Sequence, residues 1–245
     1  MGAEHIRPAE SLVAPVSLVA DPIISERQVV SVRQGLRAKN DQIASENRKL
    51  FRDKGLMVLN VLSSPGSGKT ALLERTLSDL NGRIRAGVIV GDLATDNDAR
   101  RLRRAGVEVV QITTGTVCHL EAAMVERAAA GMALDGLNLL VIENVGNLVC
   151  PASFDLGEDL RVVLLSVTEG EDKPVKYPTI FKRADIVIIT KTDLSAATCF
   201  DRAAALECLG CVAPQAQVFE LSARSGAGLT EWYAYLERLL AQERS

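Results

Sequence analysis

Residues Ser63 to Thr70 read Ser-Ser-Pro-Gly-Ser-Gly-Lys-Thr, between an apolar run (Met57 to Leu62) and an amphipathic one (Thr70 to Leu80). A glycine-rich loop that follows a strand and opens a helix with Gly-Lys-Thr is a phosphate-binding loop. Gly66 and Gly68 let backbone N–H groups close on phosphate oxygens without a Cβ in the way. The helix that follows turns the positive end of its dipole toward the same anion. Lys69 reaches the outer phosphates, and the Thr70 hydroxyl stands where a Mg²⁺ would sit. The phosphate-contacting set is thus Gly66, Ser67, Gly68, Lys69, Thr70 and Ala71. Ser63 occupies the position of the pattern's first glycine, which bears only on how closely the backbone approaches there.

A second constellation names the base. Ile186 to Leu194 reads Ile-Val-Ile-Ile-Thr-Lys-Thr-Asp-Leu, the apolar end of a strand followed by Thr-Lys-x-Asp. A carboxylate at Asp193 accepts from both the N1–H and the 2-amino group of guanine. Adenine offers neither donor and would leave it unpaired. The aliphatic stem of Lys191 can lie along the base. Downstream, Leu221-Ser222-Ala223-Arg224 follows the last strand, where a backbone N–H of Ser222 or Ala223 can meet the base oxygen. Read alone, Lys-Thr-Asp is also a solvated turn that caps the next helix; the phosphate loop upstream favours the guanine reading.

A third expected element is an acid at a strand end, followed by a glycine that meets the γ-phosphate. Val141 to Gly146, Val-Ile-Glu-Asn-Val-Gly, supplies Glu143 and Gly146, and Asp92 closes an earlier apolar run. Strand C-termini are where parallel sheets assemble ligand sites, so Thr70, Asp92 and Glu143 can converge on one Mg²⁺. Lys69, Asp92 and Gly146 are the expected catalytic set, with Asp92 orienting the attacking water; Asp92 can equally be a turn or N-cap residue. No glutamine or arginine stands in an obvious catalytic position, which predicts a slow enzyme.

Cys118 and His119 are adjacent at the start of the helical pattern Val117–Gly131, and Cys150 lies four residues beyond Gly146 in Asn147-Leu148-Val149-Cys150-Pro151. Thiolate and imidazole suit Zn²⁺ or Ni²⁺. A helix N-terminus favours the thiolate. On spacing alone the plainer reading, a buried cysteine beside a helix-capping histidine, is the better one. Three ligands leave a shell to be completed by water or by a second chain, as in a symmetric dimer.

The elements that must position these residues follow from periodicity. Strands are expected at Met57–Leu62, Ala86–Gly91, Val107–Thr113, Asn138–Val145, Arg161–Val167, Asp185–Thr190 and Gln217–Leu221. Helices are expected at Lys69–Leu80, Asp96–Ala105, Val117–Gly131, Tyr177–Arg183, Cys199–Leu209 and Leu229–Gln242. Strands alternating with helices imply an α/β fold of the P-loop NTPase kind, a mostly parallel sheet with helices on both faces. Ahead of it, residues 1–22 read as a loosely ordered tail and residues 23–55 as an amphipathic helix with Val29, Val32 and Leu36 on one face, leading into a domain at 56–245.

Hydrophobic residues make up 47% of the 245-residue chain and aromatics only 4%, which suits the aliphatic core of a buried parallel sheet. A formal net charge of −3 gives no electrostatic case for nucleic acid or an anionic membrane. No apolar run reaches transmembrane length and no signal peptide opens the chain. Five cysteines, an odd number without an export signal, argue for reduced thiols and a cytoplasmic protein. Cys208 and Cys211 form a lone C-x-x-C beside Gly210, read as ordinary thiols near a helix end.

Taken together, these stretches resemble the hydrogenase nickel-incorporation GTPases, the HypB family. The matching segments are Ser63–Thr70; Gly91-Asp92 with Thr95, Asp98-Ala99 and Arg101; Thr114-Gly115 with Cys118-His119-Leu120; Glu143 to Pro151; Glu169 to Pro174 with Lys176-Tyr177-Pro178; and Thr190–Leu194. The resemblance implies a GTPase that cycles between GTP and GDP, dimerises with GTP and holds Ni²⁺ or Zn²⁺ at the subunit interface through Cys118, His119 and Cys150. It implies delivery of nickel to the large subunit of [NiFe]-hydrogenase with a zinc-containing accessory protein, and places Lys173 and Lys176 near nucleotide and interface. Residues 1–54 hold no Cys and one His, His5, so a separate N-terminal nickel site of the kind some members carry is not expected. Two other readings stand beside it: a related chaperone for another nickel enzyme such as urease, and a GTP-switched dimerisation module whose Cys/His site is structural.

Overall fold

The computed structural model describes residues 26–92 and 96–242, with side chains from Gly35 onward. The tail at 1–22, His5, the side chains of Val29 and Val32, and Leu93 to Thr95 lie outside the described residues. By contacts the chain divides into two units, residues 1–35 and 36–245, and everything below concerns the second.

Seven strands form one sheet: β1 (Met57–Ser63), β2 (Ala86–Asp92), β3 (Glu108–Thr113), β4 (Leu139–Glu143), β5 (Leu160–Ser166), β6 (Ile186–Thr190) and β7 (Gln217–Glu220). Their order is β3-β2-β4-β1-β5-β6-β7, and every pairing is parallel. β1, β4 and β6 are buried along their whole length, as continuous aliphatic runs require when helices cover both faces; edge strands β3 and β7 are only partly covered. The helices are α1 (Glu26–Asp53), α2 (Lys69–Asp79), α3 (Asn97–Arg104), α4 (Ala122–Ala130), α5 (Lys173–Lys176), α6 (Pro178–Phe181), α7 (Arg202–Val212) and α8 (Leu229–Gln242).

One core layer sits under α2, α3 and α8, around Leu59, Leu72, Val88 and Trp232. The Trp232 indole N–H donates to Thr76 Oγ1 at 3.2 Å and pins α8 to α2. On the opposite face, Phe51 of α1 and Val125 of α4 pack with Ile89 and Ile142, and Leu209 of α7 packs with Ile189 and Phe181.

Three expected elements differ from the observed ones, each for a local reason. The helix expected over 177–183 forms only at Pro178–Phe181 and is separated at Tyr177 from α5 before it, because the residue before a proline is driven out of the α region and Pro178 follows. The helix expected from Cys199 starts at Arg202: Cys199 is left-handed (φ 52°), and the Asp201 side chain accepts from the Ala204 amide at 3.0 Å as N-cap. The helix expected from Val117 starts at Ala122. Cys118 and His119 therefore lie on the loop ahead of α4, not on its first turn. Side chains take the backbone groups that a helix would have used: Asn147 Nδ2 donates to the Cys118 carbonyl (3.3 Å), and Asn144 Oδ1 accepts from the Leu120 amide (3.3 Å).

The helix ahead of the domain also differs from expectation. Leu36 is exposed, and the face of α1 turned to the core is Asn40, Ala44, Asn47 and Phe51. Residues 36–53 of α1 thus belong to the globular unit rather than leading into it.

Candidate functional site

The phosphate loop turns at Gly66 (φ 74°) and Gly68 (φ 99°), left-handed conformations that a Cβ would strain. Gly68 caps the start of α2, so the helix dipole opens into the loop. Lys69 Nζ donates to Ser63 Oγ at 2.9 Å, so the serine in place of the pattern's first glycine parks the lysine. Burial holds the Lys69 ammonium below its ordinary pKa against the pull of Glu143, Asp98, Glu169 and Asp92. A desolvated ammonium beside a row of backbone donors is the electrostatic setting a phosphate completes.

Thr70 Oγ1 donates to Glu143 Oε1 at 2.7 Å. Burial pushes the Glu143 carboxyl up to about 7, opposed by Thr70 and Lys69. The other oxygen, Glu143 Oε2, is buried without a hydrogen-bond partner. A buried, half-satisfied carboxylate beside a threonine hydroxyl fits a hard divalent cation.

These groups line a cavity of about 420 Å³, with Asp92 and Gly91 from the end of β2 and Asn144 to Gly146 from the segment after β4. A Cβ on Gly146 would lie 2.9 Å from Pro65 Cα, so this glycine lets the segment after β4 touch the phosphate loop. Asp98 and Arg101 of α3 line the same cavity, and Arg101 is held by Glu74 at 2.6 Å. Neither belongs to a motif that marks it as a site residue by its chemistry; the signal is their placement on the helix after the β2 terminus.

A second cavity of about 290 Å³ adjoins the loop, lined by Ser67, Gly68, Ala71, Thr190, Lys191, Asp193, Leu221, Ser222 and Ala223 among others. Thr190 Oγ1 donates to the Ser67 carbonyl (2.8 Å) and Lys191 Nζ to the Gly66 carbonyl (2.7 Å). Lys191 takes a left-handed backbone (φ 59°), strain that a lysine tolerates where surrounding structure imposes it. The Thr192 amide donates to the Leu221 carbonyl at 3.3 Å and joins the two base-side loops. The Ser222 amide already donates to the Ala227 carbonyl at 2.9 Å, which turns attention to the Ala223 amide as the base-facing donor.

Lys173 and Lys176 line neither cavity. Lys176 pairs with Asp172 at 2.6 Å, and Lys173 lies 3.7 Å from Glu169, whose other oxygen accepts from the Ser67 hydroxyl of the phosphate loop.

The structure brings Cys118, His119 and Cys150 together: one ligand atom from each lies within 4.8 Å of the others. Both ring nitrogens of His119 are buried without a hydrogen-bond partner; the nearest carboxylate, Glu121, is 3.7 Å from Nε2. Burial holds the His119 imidazolium below its ordinary range, opposed by Glu121, which favours the neutral ligand form. Phe154 stacks on the ring at 4.0 Å. The hydrogen bond to Cys118 pushes the Cys150 thiol up, with burial adding to it. Two neighbouring thiols beside an unpartnered imidazole suit a borderline-soft cation, and the plainer capping reading fails because His119 caps nothing.

Fold and site together define a P-loop nucleotide-binding protein with a Cys/His cluster beside its phosphate cavity. The family model described as CobW/HypB/UreG, nucleotide-binding domain matches residues 57–220. A hydrogenase maturation factor HypB from Azotobacter vinelandii is 52% identical over 219 residues, which cover 89% of this chain and 72% of that protein. A hydrogenase/urease maturation factor HypB from Helicobacter pylori is 44% identical, with 90% and 91% covered. The crystal structure of HypB from Helicobacter pylori in complex with nickel superposes with a TM-score of 0.78 at 45% identity, covering 84% of this chain and 95% of that one. The chain belongs to the HypB hydrogenase maturation factors, within the CobW/HypB/UreG nucleotide-binding family.

Proposed function

We propose that this protein is a GTP-hydrolysing metallochaperone that carries nickel, or zinc in its place, at Cys118, His119 and Cys150 for the maturation of [NiFe]-hydrogenase. The observation that carries this is the gathering of those three ligand atoms within 4.8 Å, with Cys118 and His119 on a loop bonded to Asn144 and Asn147 and Cys150 further along the segment that bears those asparagines. The relative solved with nickel supports the choice of metal.

GTP lies with its phosphates in the cavity above Gly66 to Ala71 and its base against Lys191, Asp193 and the Ala223 amide. Lys69 leaves Ser63 for the outer phosphates, and Glu143 and Thr70 would hold Mg²⁺, which would supply charge compensation there. Asp92 orients the attacking water, and Arg101 adds a cation to the cavity wall. Gly146 reports on the γ-phosphate through its contact with Pro65. Asn144 Oδ1 accepts from both the Val145 and Leu120 amides (2.9 and 3.3 Å), so movement at Gly146 reaches the Cys118–His119 loop directly. Cys150 is four residues further along the same segment. A second copy, paired through these loops with Lys173 and Lys176 near the junction, completes the metal shell. Val149, beside Cys150, is 64% exposed and suits such a contact. Hydrogenase large subunit and a zinc-containing accessory protein are the partners this role requires. Among the described residues no helix is long and apolar enough to cross a membrane.

Metal titration of GTP-loaded protein tests the reading. The parent is expected to bind Ni²⁺ and Zn²⁺ with loss in Cys118→Ala/His119→Ala. Equal binding by parent and variant would leave a GTP-switched module with a structural cysteine–histidine pair.

A further inference from the structure

Two asparagines on α1 bond both the start of α4 and the loop after Cys150. Asn40 and Asn47 are seven residues, two helical turns, apart and so share one face. Both are buried, at 7% and 2% exposure. Their amides are spent on main chain alone. Asn40 Oδ1 accepts from the Ala122 amide at 2.9 Å, and its Nδ2 donates to the Asp155 carbonyl at 2.8 Å. Asn47 Nδ2 donates to the carbonyls of Ala122 (2.9 Å) and Leu156 (3.1 Å). Each side chain therefore has one contact on the start of α4 and one on the loop after Cys150.

Ala122 is the first residue of α4, three beyond His119. Glu121 at the cap position makes no side-chain cap bond, so Asn40 reaches over from another helix to satisfy an N-terminal amide. With Asn47 on its carbonyl, both peptide groups of Ala122 are fixed. On the other side, the loop from Pro151 to Gly157 carries Phe154 against the His119 ring and is tied at Asp155 by Arg48 (2.7 Å). At Gly157 (φ 93°) a Cβ would fall 2.7 Å from the Ala44 carbonyl oxygen, so the loop lies flat on α1. Arg161 and Arg183 donate to the Ala152 carbonyl from the far side (3.3 and 3.0 Å).

We infer that Asn40 and Asn47 are positioning residues for the Cys118/His119/Cys150 site: a polar clasp on α1 sets the distance between the loop that bears Cys118 and His119 and the loop that bears Cys150. The inference rests on the metal reading above. It predicts that α1 controls metal affinity without touching nucleotide, because neither asparagine lines either nucleotide cavity. Groups that orient metal ligands typically change affinity by about 10–100-fold when removed.

The test measures Co²⁺ and Ni²⁺ affinity, the thiolate charge-transfer absorbance, and GDP affinity in the full chain and in Asn40→Ala, Asn47→Ala and Asn40→Asp. Both alanine variants are expected to bind metal about tenfold or more weakly, with an altered spectrum and GDP affinity within about twofold of the parent. Asn40→Asp keeps the acceptor for Ala122 and loses the donor to Asp155, so its loss is expected to fall between parent and Asn40→Ala. Retained GDP binding shows that a variant is folded; should Asn47→Ala lose it, the Asn40 pair decides. Parent-like metal affinity and spectrum in folded variants overturn the clasp while leaving the metal site intact. A parent that binds no metal overturns both.

Discussion

At the phosphate loop each working group already has a partner within the chain: Lys69 on Ser63, Thr70 on Glu143, Thr190 on Ser67 and Lys191 on Gly66. At the Cys118/His119/Cys150 cluster, reached through Asn144 and Asn147, both His119 nitrogens lack one and the two thiols have mainly each other. The first region is preorganised, so its ligand meets donors that cost little to align. The second gathers its ligands but leaves them short of partners, so its geometry depends on what its two loops are tied to. One is tied to the segment after β4, through Asn144 and Asn147; both are tied to α1, through Asn40 and Asn47.

If the contrast is right, substitutions in the two regions separate cleanly. The largest effect is expected from Lys69→Ala, which removes the cation proposed to meet the phosphates. GTP hydrolysis should fall by about 100-fold or more, as when a preorganised charge-stabilising group is lost, with metal-ligand absorbance in the nucleotide-free protein unchanged. Asp193→Asn comes next. Replacing the carboxylate with an amide that presents N–H to guanine N–H should weaken GDP binding by about 2 kcal/mol, near 30-fold, without affecting stability. Unchanged GDP affinity by competition would contradict the guanine reading.

Gly146→Ala probes the junction. Its Cβ would meet Pro65 backbone at 2.9 Å, and forcing such a contact costs about 1–3 kcal/mol. The expected result is a loss in both nucleotide and metal affinity, the one substitution here to move both. Loss of only one would break the link between the regions.

A pH effect on stability, distinct from these affinities, is expected at Glu143. Its carboxyl is raised by burial from 4.5 to about 7, so the protonated form is the one folding favours. That stabilisation is fully present below pH 4.5, the unfolded value, and is lost as pH rises through about 7. Nucleotide-free parent should therefore lose thermal stability relative to Glu143→Gln between pH 5 and 8, by about 2–4 °C per kcal/mol, and parallel melting curves across that range would contradict it.

How much of this was legible in the sequence follows the same divide. The residues that line the two cavities are legible because their motifs are local: a strand end, a tight turn and a helix start within a few residues, each with its own residue signature. Glu143 and Gly146 were readable because the strand before them is apolar throughout. The metal cluster was gathered from spacing only with the help of resemblance, since Cys118 and Cys150 meet through the tertiary fold. The start of α4 was misplaced because side chains of Asn144 and Asn147, distant in sequence, hold residues 118–120 out of the helix. The inward face of α1 was missed because two of its four positions are asparagines, and an apolar period cannot show a face that buries amides. Arg101 was passed over as a catalytic candidate because a charged helix face reads as solvent-facing until the cavity beside it is seen.

The proposed function couples nucleotide state to metal coordination through the segment from Glu143 to Cys150. It is tested most directly by Ni²⁺ affinity of the protein loaded with GDP and with a non-hydrolysable GTP analogue, read by size-exclusion chromatography with metal analysis. A coupling of ordinary size predicts affinities that differ by about fivefold or more between the two states, with the difference abolished in Cys150→Ala. Equal Ni²⁺ affinity and stoichiometry in both states would contradict the account.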